Sequence, residues 1–215
     1  LGDGPPYRPN SYGFDYYYGL PYSNDMQPLP LYRNREVIEE NPDQAQLTQR
    51  YTKEALSFIT KNKNKPFFLY YASNSPHTPL HASKNFLGKS KRGLYGDVVE
   101  ELDWSVGEIL RTLKQLKLDK NTLVVFTSDN GPWLIKKQDG GSAGMLFEGK
   151  QSTYEGGMRE PAIFWWPGTI RANQVNLSLA ASMDLFPTIL NMAGIAIPKD
   201  RVYDGTNLMP LMQIG

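Results

Sequence analysis

Val124-Val-Phe-Thr-Ser-Asp-Asn-Gly131 is a strand-like apolar run that ends abruptly in a carboxylate, an amide and a glycine. Open α/β sheets place their sites at the carboxyl ends of strands, so this run predicts both a fold class and the position of a site. Asp129 and Asn130 supply one anionic and one neutral oxygen there, a pair suited to Ca²⁺ or Mg²⁺ and poorly suited to a soft metal. Two donors make only half a metal site, and Asp-Asn-Gly is equally a turn signal, so both readings stand on this run alone.

Upstream of that run, Leu47, Tyr51, Ala55, Phe58 and Ile59 recur at helical spacing and predict a helix over 46–61. Pro66 then opens Phe67-Phe-Leu-Tyr-Tyr-Ala72, which reads as a buried strand. Val98, Val99, Leu102, Val106, Ile109, Leu110, Leu113 and Leu116 form one stripe and predict a second helix over 97–116, followed by a strand over 122–127. Downstream, Ala162-Ile-Phe-Trp-Trp166 reads as a third strand closed by Pro167-Gly168, and 183–193 as a helix ended by Gly194. This alternation implies an α/β sandwich with a mostly parallel sheet covered by helices on both faces. We therefore read one domain, with 1–45 as an irregular, aromatic-rich segment and 46–215 as the α/β core. Asp15-Tyr-Tyr-Tyr-Gly19 lies in the first segment, and its rings can stack on a sugar or pack the loop onto the domain. The polar, glycine-rich stretch 136–144 reads as a mobile loop beside the metal-donor pair.

Composition narrows the function classes. With 23 basic and 22 acidic residues the net charge is +1, so no overall field draws the chain to nucleic acid or to an anionic membrane. No run is long enough to span a bilayer, and the absence of cysteine excludes disulfides, thiolate metal sites and a cysteine nucleophile within these 215 residues. Leu1-Gly-Asp-Gly-Pro-Pro6 has neither an initiator methionine nor the pattern of a signal peptide, and the expectation is a piece of a longer polypeptide.

Two basic side chains flank the predicted strands. His77, in Ser75-Pro-His-Thr-Pro79, follows the strand that ends at Ala72, on a backbone restricted by prolines; it is a candidate acid or anion ligand, or a loop imidazole satisfied by backbone groups. Lys150 opens Gly149-Lys-Gln-Ser-Thr-Tyr-Glu-Gly-Gly-Met-Arg-Glu-Pro161, whose paired glycines allow a tight backbone path next to a site. Its ammonium can bind an oxyanion or remain solvated, while Arg159 and Glu160 read as ion-pairing residues that fix the loop. A divalent cation, a lysine and a histidine converging on one point would describe a pocket for a tetrahedral oxyanion, either a sulfate or a phosphate ester.

Taken as an ordered set, several motifs resemble the type I sulfatases, in particular the animal-type arylsulfatases. They are Pro66-Phe-Phe-Leu-Tyr-Tyr-Ala72 with His77-Thr-Pro79, Ala82-Ser-Lys-Asn-Phe-Leu-Gly88, Arg92-Gly-Leu-Tyr-Gly-Asp97 and Thr127-Ser-Asp-Asn-Gly131, then the 149–161 segment with Trp166-Pro-Gly168, and Met183-Asp-Leu-Phe-Pro187. The resemblance implies an alkaline-phosphatase-like α/β fold, present here as a partial domain. It implies Asp129 and Asn130 as Ca²⁺ ligands, and His77 and Lys150 as catalytic groups that hold the sulfate, with His77 also placed to protonate the leaving alcohol. The implied reaction is Ca²⁺-dependent removal of sulfate from an aryl sulfate or a sulfated sugar such as those of glycosaminoglycans, in a lysosomal or secreted enzyme that can be a homodimer. The family's nucleophile is a hydrated formylglycine made from a C/S-x-P-x-R motif, and no such motif occurs in this chain. The expectation is therefore a later portion of a sulfatase domain, inactive by itself. Formylglycine and the first Asp ligands would lie upstream, and Leu1-Gly2 would follow directly on a Lys-x-His pair. Two other readings remain: a nonenzymatic carbohydrate-binding or scaffold remnant of the fold, and a phosphatase or phosphodiesterase of the same superfold.

Overall fold

The computed structural model describes residues 4–213, so the reading of Leu1-Gly2 lies outside the described residues. The chain divides into two compact units. One takes the described residues up to Leu118 together with Ser128–Pro161; the other takes Asp119–Thr127 and the described residues from Ala162 onward.

The first unit begins with a three-stranded antiparallel meander, β1 (Tyr18–Gly19), β2 (Leu31–Arg33) and β3 (Glu36–Glu39), in that order. This lies inside the stretch expected to be irregular. Strands of two to four residues are too short to display a period of two, which is why the pattern was silent. The tyrosine run packs: Tyr17 donates to the Leu20 carbonyl at 2.5 Å, Tyr16 donates to Glu54 at 2.6 Å, and Tyr18 meets Tyr51 edge to face at 6.0 Å. Burial raises the Tyr17 phenol to about 12. Two of the three hydroxyls are thus committed as donors to neighbouring groups of the same unit.

Helix α1 (Leu47–Asn62) buries Leu47, Tyr51, Ala55 and Ile59, four residues apart on one face, and Leu47 and Tyr51 cluster with Leu31 of β2. Helix α2 (Gly93–Gln115) starts four residues earlier than its stripe predicts, and its inward face is partly polar. Glu101 and Ser105 are buried beside Val98, whereas Val99 faces solvent. Hydrophobic periodicity cannot register polar residues that face inward because they are hydrogen-bonded. Ser105 accepts from Thr52 of α1 at 2.7 Å and lies 3.0 Å from the Tyr71 hydroxyl, and Glu101 accepts from the Ser83 amide at 2.8 Å. That network ties both helices to the extended run 67–72. The run alternates between half-buried and exposed side chains as a strand does, yet it has no ladder partner among the described residues.

In the second unit β4 (Val124–Thr127) pairs with β5 (Ala162–Trp165), antiparallel, with Val124 opposite Trp165. Both sheets among the described residues are antiparallel, where the alternation predicted largely parallel pairing. The connection from β4 to β5 is not a helical crossover: it carries residues 128–161, including the single-turn helix α3 (Glu155–Met158), into the first unit. Helix α4 (Leu185–Met192) and the short α5 (Met209–Gln213) complete the second unit. The loop expected to be mobile at 136–144 begins inside a 3₁₀ stretch, Leu134–Asp139.

Two buried aspartates staple loops to these elements. Asp97 of α2 accepts from the amides of Gly88, Lys89 and Ser90 at 2.8, 3.0 and 2.7 Å, and Asp184 accepts from those of Ala181 and Thr206 at 2.7 and 2.6 Å. Those backbone N–H groups favour the charged form and hold both carboxyls below the ordinary carboxylate range. A depressed folded value gives stabilisation that is complete above the unfolded value of about 3.9 and is lost as pH falls through the folded one. Thermal unfolding followed from pH 7 to pH 3 is expected to show a falling midpoint below about pH 4. Asp97→Asn is expected to lower the midpoint at pH 7 and to flatten that acid limb; an unaltered limb would reject the assignment.

Candidate functional site

Two segments of the first unit, 129–133 and 147–157, are locked together by main-chain hydrogen bonds, and the loop bearing His77 joins them through side chains. The Lys150 amide donates to the Pro132 carbonyl at 2.9 Å, the Gly131 amide to the Gly157 carbonyl at 3.1 Å, and the Gly156 amide to the Phe147 carbonyl at 2.8 Å. Backbone approaches this close exclude side chains. A Cβ on Gly131 would fall inside the carbonyl oxygen of Gly156, and one on Gly156 would fall inside the carbonyl oxygen of Glu148. Gly131 is thus the reason the segment bearing Asn130 can lie against the one bearing Lys150, and Gly156 the reason that second segment can fold back on its own 147–148 stretch.

Trp133 is the centre of the arrangement. The Lys150 ammonium lies 5.2 Å from its ring centroid, and the His77 imidazole lies 5.7 Å from it at an interplanar angle of 32°. An ammonium within about 6 Å of an indole face is attracted by the ring quadrupole, so Trp133 draws in the two residues the sequence singled out 73 positions apart. His77 Nδ1 lies 2.7 Å from the Thr78 carbonyl. A carbonyl only accepts, so Nδ1 carries the hydrogen of this contact and Nε2 is the nitrogen not engaged by it. His77 and Lys150 are both half-buried.

One carboxylate faces this pair. Asn24 is buried and donates to the Pro79 carbonyl at 3.2 Å and to Gln44 at 3.0 Å, which holds its loop beside His77. Asp25, next in the chain, has its pKa lowered first by the Ser23 hydroxyl, then by its own backbone amide, with the charges of His77 and Lys150 adding to the effect. Neither Trp133 nor Asp25 is legible in the sequence. Trp133 sits two residues past the Asp-Asn-Gly turn, but nothing in the spacing ties it to a lysine and a histidine, and Asp25 comes from a segment with no periodic signal.

Asp129 and Asn130 form a second group, at the other end of the same 129–133 run. Asn130 donates from its amide nitrogen to Asp129 Oδ1 at 3.1 Å, which leaves the amide oxygen and Oδ2 as donors for a cation. Glu160 does not form the ion pair predicted for it. Burial, and then the charge of Asp129, raise its pKa, and its Oε1 is buried without a hydrogen-bond partner. Arg159 instead pairs with Glu155 across one helical turn at 3.2 Å, with both side chains well exposed. Two mutually repelling carboxylates and an amide oxygen fit a hard divalent cation in chemistry but fall short in number. Among the described residues no cluster of three or more His, Cys, Asp or Glu side chains can hold a metal.

Comparison with known proteins follows the same lines. A family model described as Sulfatase matches residues 4–195. N-acetylgalactosamine-6-sulfatase of Mus musculus is 49% identical over 234 residues, covering 100% of this chain and 45% of that protein. The Homo sapiens form is 47% identical with the same coverages, and Homo sapiens steryl-sulfatase is 44% identical over 90% of this chain and 34% of its own length. The chain spans about half the length of the curated relatives it matches first. Among solved structures, PsFucS1 sulfatase from Pseudoalteromonas sp. superposes with a TM-score of 0.89 at 28% identity, covering 96% of this chain and 49% of that one. Ps i-CgsB in complex with k-i-k-neocarrahexaose superposes with a TM-score of 0.85 at 34% identity, covering 98% and 52%. The fold is accordingly the alkaline-phosphatase-like α/β fold of these structures.

Proposed function

The chain belongs to the sulfatase family, and on that premise we propose that it supplies the anion-holding part of a sulfuric ester hydrolase acting on a sulfated sugar. The observation that carries this reading is the meeting of Lys150 and His77 at the Trp133 ring. A half-buried ammonium beside an imidazole is a receptor for a tetrahedral oxyanion, because partial removal from water strengthens the attraction for the anion. The names of the relatives that match over the full chain favour sulfate over phosphate, and N-acetylgalactosamine-6-sulfatase points to a 6-sulfated amino sugar.

In this reading Lys150 pairs with the non-bridging oxygens of the sulfate. His77, with Nδ1–H engaged by Thr78, carries its second proton on Nε2 and delivers it to the bridging oxygen as the S–O bond breaks. The electron pair of that bond stays on the oxygen, the sugar leaves as a neutral alcohol, and the sulfur is taken up by a nucleophile that residues 4–213 do not supply. Asp129 and Asn130 would contribute to holding a Ca²⁺ ion, completed by ligands from outside residues 4–213. A bound Ca²⁺ would supply Lewis-acid polarisation of a sulfate oxygen. The formylglycine nucleophile that the family resemblance implies is likewise outside this chain.

The test is sulfate release from N-acetylgalactosamine 6-sulfate by the complete polypeptide that carries these residues. A chelator is expected to abolish it and added Ca²⁺ to restore it. Asp129→Ala is expected to raise the Ca²⁺ concentration for half-maximal rate by about tenfold to a hundredfold. Release of phosphate but not sulfate from matched sugar esters would turn the assignment to a phosphatase, and no release of either would favour a binding role.

A further inference from the structure

Lys136 is a second ammonium at the Trp133 ring, and the reaction described above does not use it. Its amide donates to the Trp133 carbonyl at 2.9 Å, closing a tight turn in which residues three apart eclipse. The turn folds the Lys136 side chain back over the indole, and its ammonium lies 4.6 Å from the ring centroid. Laid end to end, the two ring distances keep the Lys136 and Lys150 nitrogens within about 10 Å of each other. Two ammonium groups sharing one ring repel, and among the described residues neither has a carboxylate within ion-pair distance. The charges of His77 and Lys150 both act on Asp25. The groups also differ in depth: Lys150 and His77 are half-buried, whereas Lys136 is exposed.

We propose that Lys136, held on Trp133, takes a second acid group of a polyanionic glycan while Lys150 and His77 hold the sulfate to be removed. The inference rests on the sulfatase reading and adds a specificity-determining residue to it. The second group is a sulfate ester or a uronate carboxylate, on the same sugar or the next one. An exposed lysine discriminates by charge at short range without closing around the ligand, so it favours doubly charged sugars over singly charged ones and tolerates either acid.

The experiment compares affinities of the complete polypeptide for N-acetylgalactosamine 6-sulfate, its 4,6-disulfate, and a disaccharide carrying one 6-sulfate and one uronate, measured by calorimetry at fixed low salt. Wild type is expected to prefer one or both doubly charged sugars by about threefold to fivefold. In Lys136→Gln that preference falls to about onefold, while Lys136→Arg keeps it. Lys137→Gln removes the same charge one residue further on and is expected to keep it too. An unchanged preference in Lys136→Gln overturns the proposal and leaves the sulfatase reading standing. An equal loss in the Lys136 and Lys137 variants also overturns it, because the effect is then one of net charge. Failure of wild type to bind even the monosulfated sugar overturns both.

Discussion

Lys150→Ala is expected to lower kcat/KM for sulfate-ester hydrolysis by about 10²- to 10³-fold, the loss typical of removing one preorganised group from a developing anion. The ammonium is kept at the Trp133 ring by the hydrogen bond from its own amide to Pro132, so truncation removes the charge without releasing the loop. Circular dichroism and thermal midpoint should therefore stay near wild type while catalysis falls. Lys150→Arg should recover only part of the rate, because a planar guanidinium does not reproduce the position of a compact ammonium. Competitive inhibition by inorganic sulfate provides the binding readout, and its inhibition constant should rise in Lys150→Ala. A variant within threefold of wild type in both measurements would remove Lys150 from the site.

Gly156→Ala should be among the most damaging small substitutions at the described residues. The added methyl would overlap the carbonyl oxygen of Glu148 and lie 2.6 Å from that of Phe147, and both are backbone atoms that cannot rotate aside. Relief requires the turn at 155–157 to move away from the 147–148 stretch just before Lys150, which opens the loop that carries Lys150. The expected cost is about 3 kcal/mol or more, at the upper end of the overpacking range. Because the loops and not the helices must yield, early proteolytic cleavage within 144–152 should accompany the fall in thermal midpoint. Gly107→Ala in α2 is the matched control. A Cβ there meets nothing within 4 Å, and the same methyl is expected to stabilise by about 0.5–1 kcal/mol through helix propensity. Equal behaviour of the two variants would contradict the interlocked geometry.

The elements with strong periodic signals were legible within a few residues. Helix α1 was predicted from five apolar positions, four of which form its buried face while Phe58 is half-buried, and β4 and β5 from short β-rich runs bounded by turn residues. Helix α2 was found but misread in part, since Glu101 and Ser105 face inward where the stripe placed Val99. The meander at 18–39 was missed because its strands are shorter than one readable period. Strand direction was not legible either: alternating helices and strands raise the odds of parallel pairing, but pairing is a hydrogen-bond outcome between segments distant in sequence.

The sequence by itself determined the family and the α/β class, and it nominated the residues of a candidate site, because motifs of charged and small residues at set spacings are local facts. Asp129-Asn130, His77 and Lys150 were all named from such spacings. Only the tertiary structure decided which of them meet. Trp133 joins His77 to Lys150, Asp25 arrives from a loop anchored by Asn24, and Glu160 turns from an expected ion-pair partner into a half-buried carboxyl under the charge of Asp129. The physical reason is that contacts between a ring and a cation, or between two carboxylates, depend on distances of a few ångströms between segments tens of residues apart. Those distances are set by glycines packed backbone to backbone and by the hydrogen bonds of Pro132 and Pro79, and no local pattern encodes them.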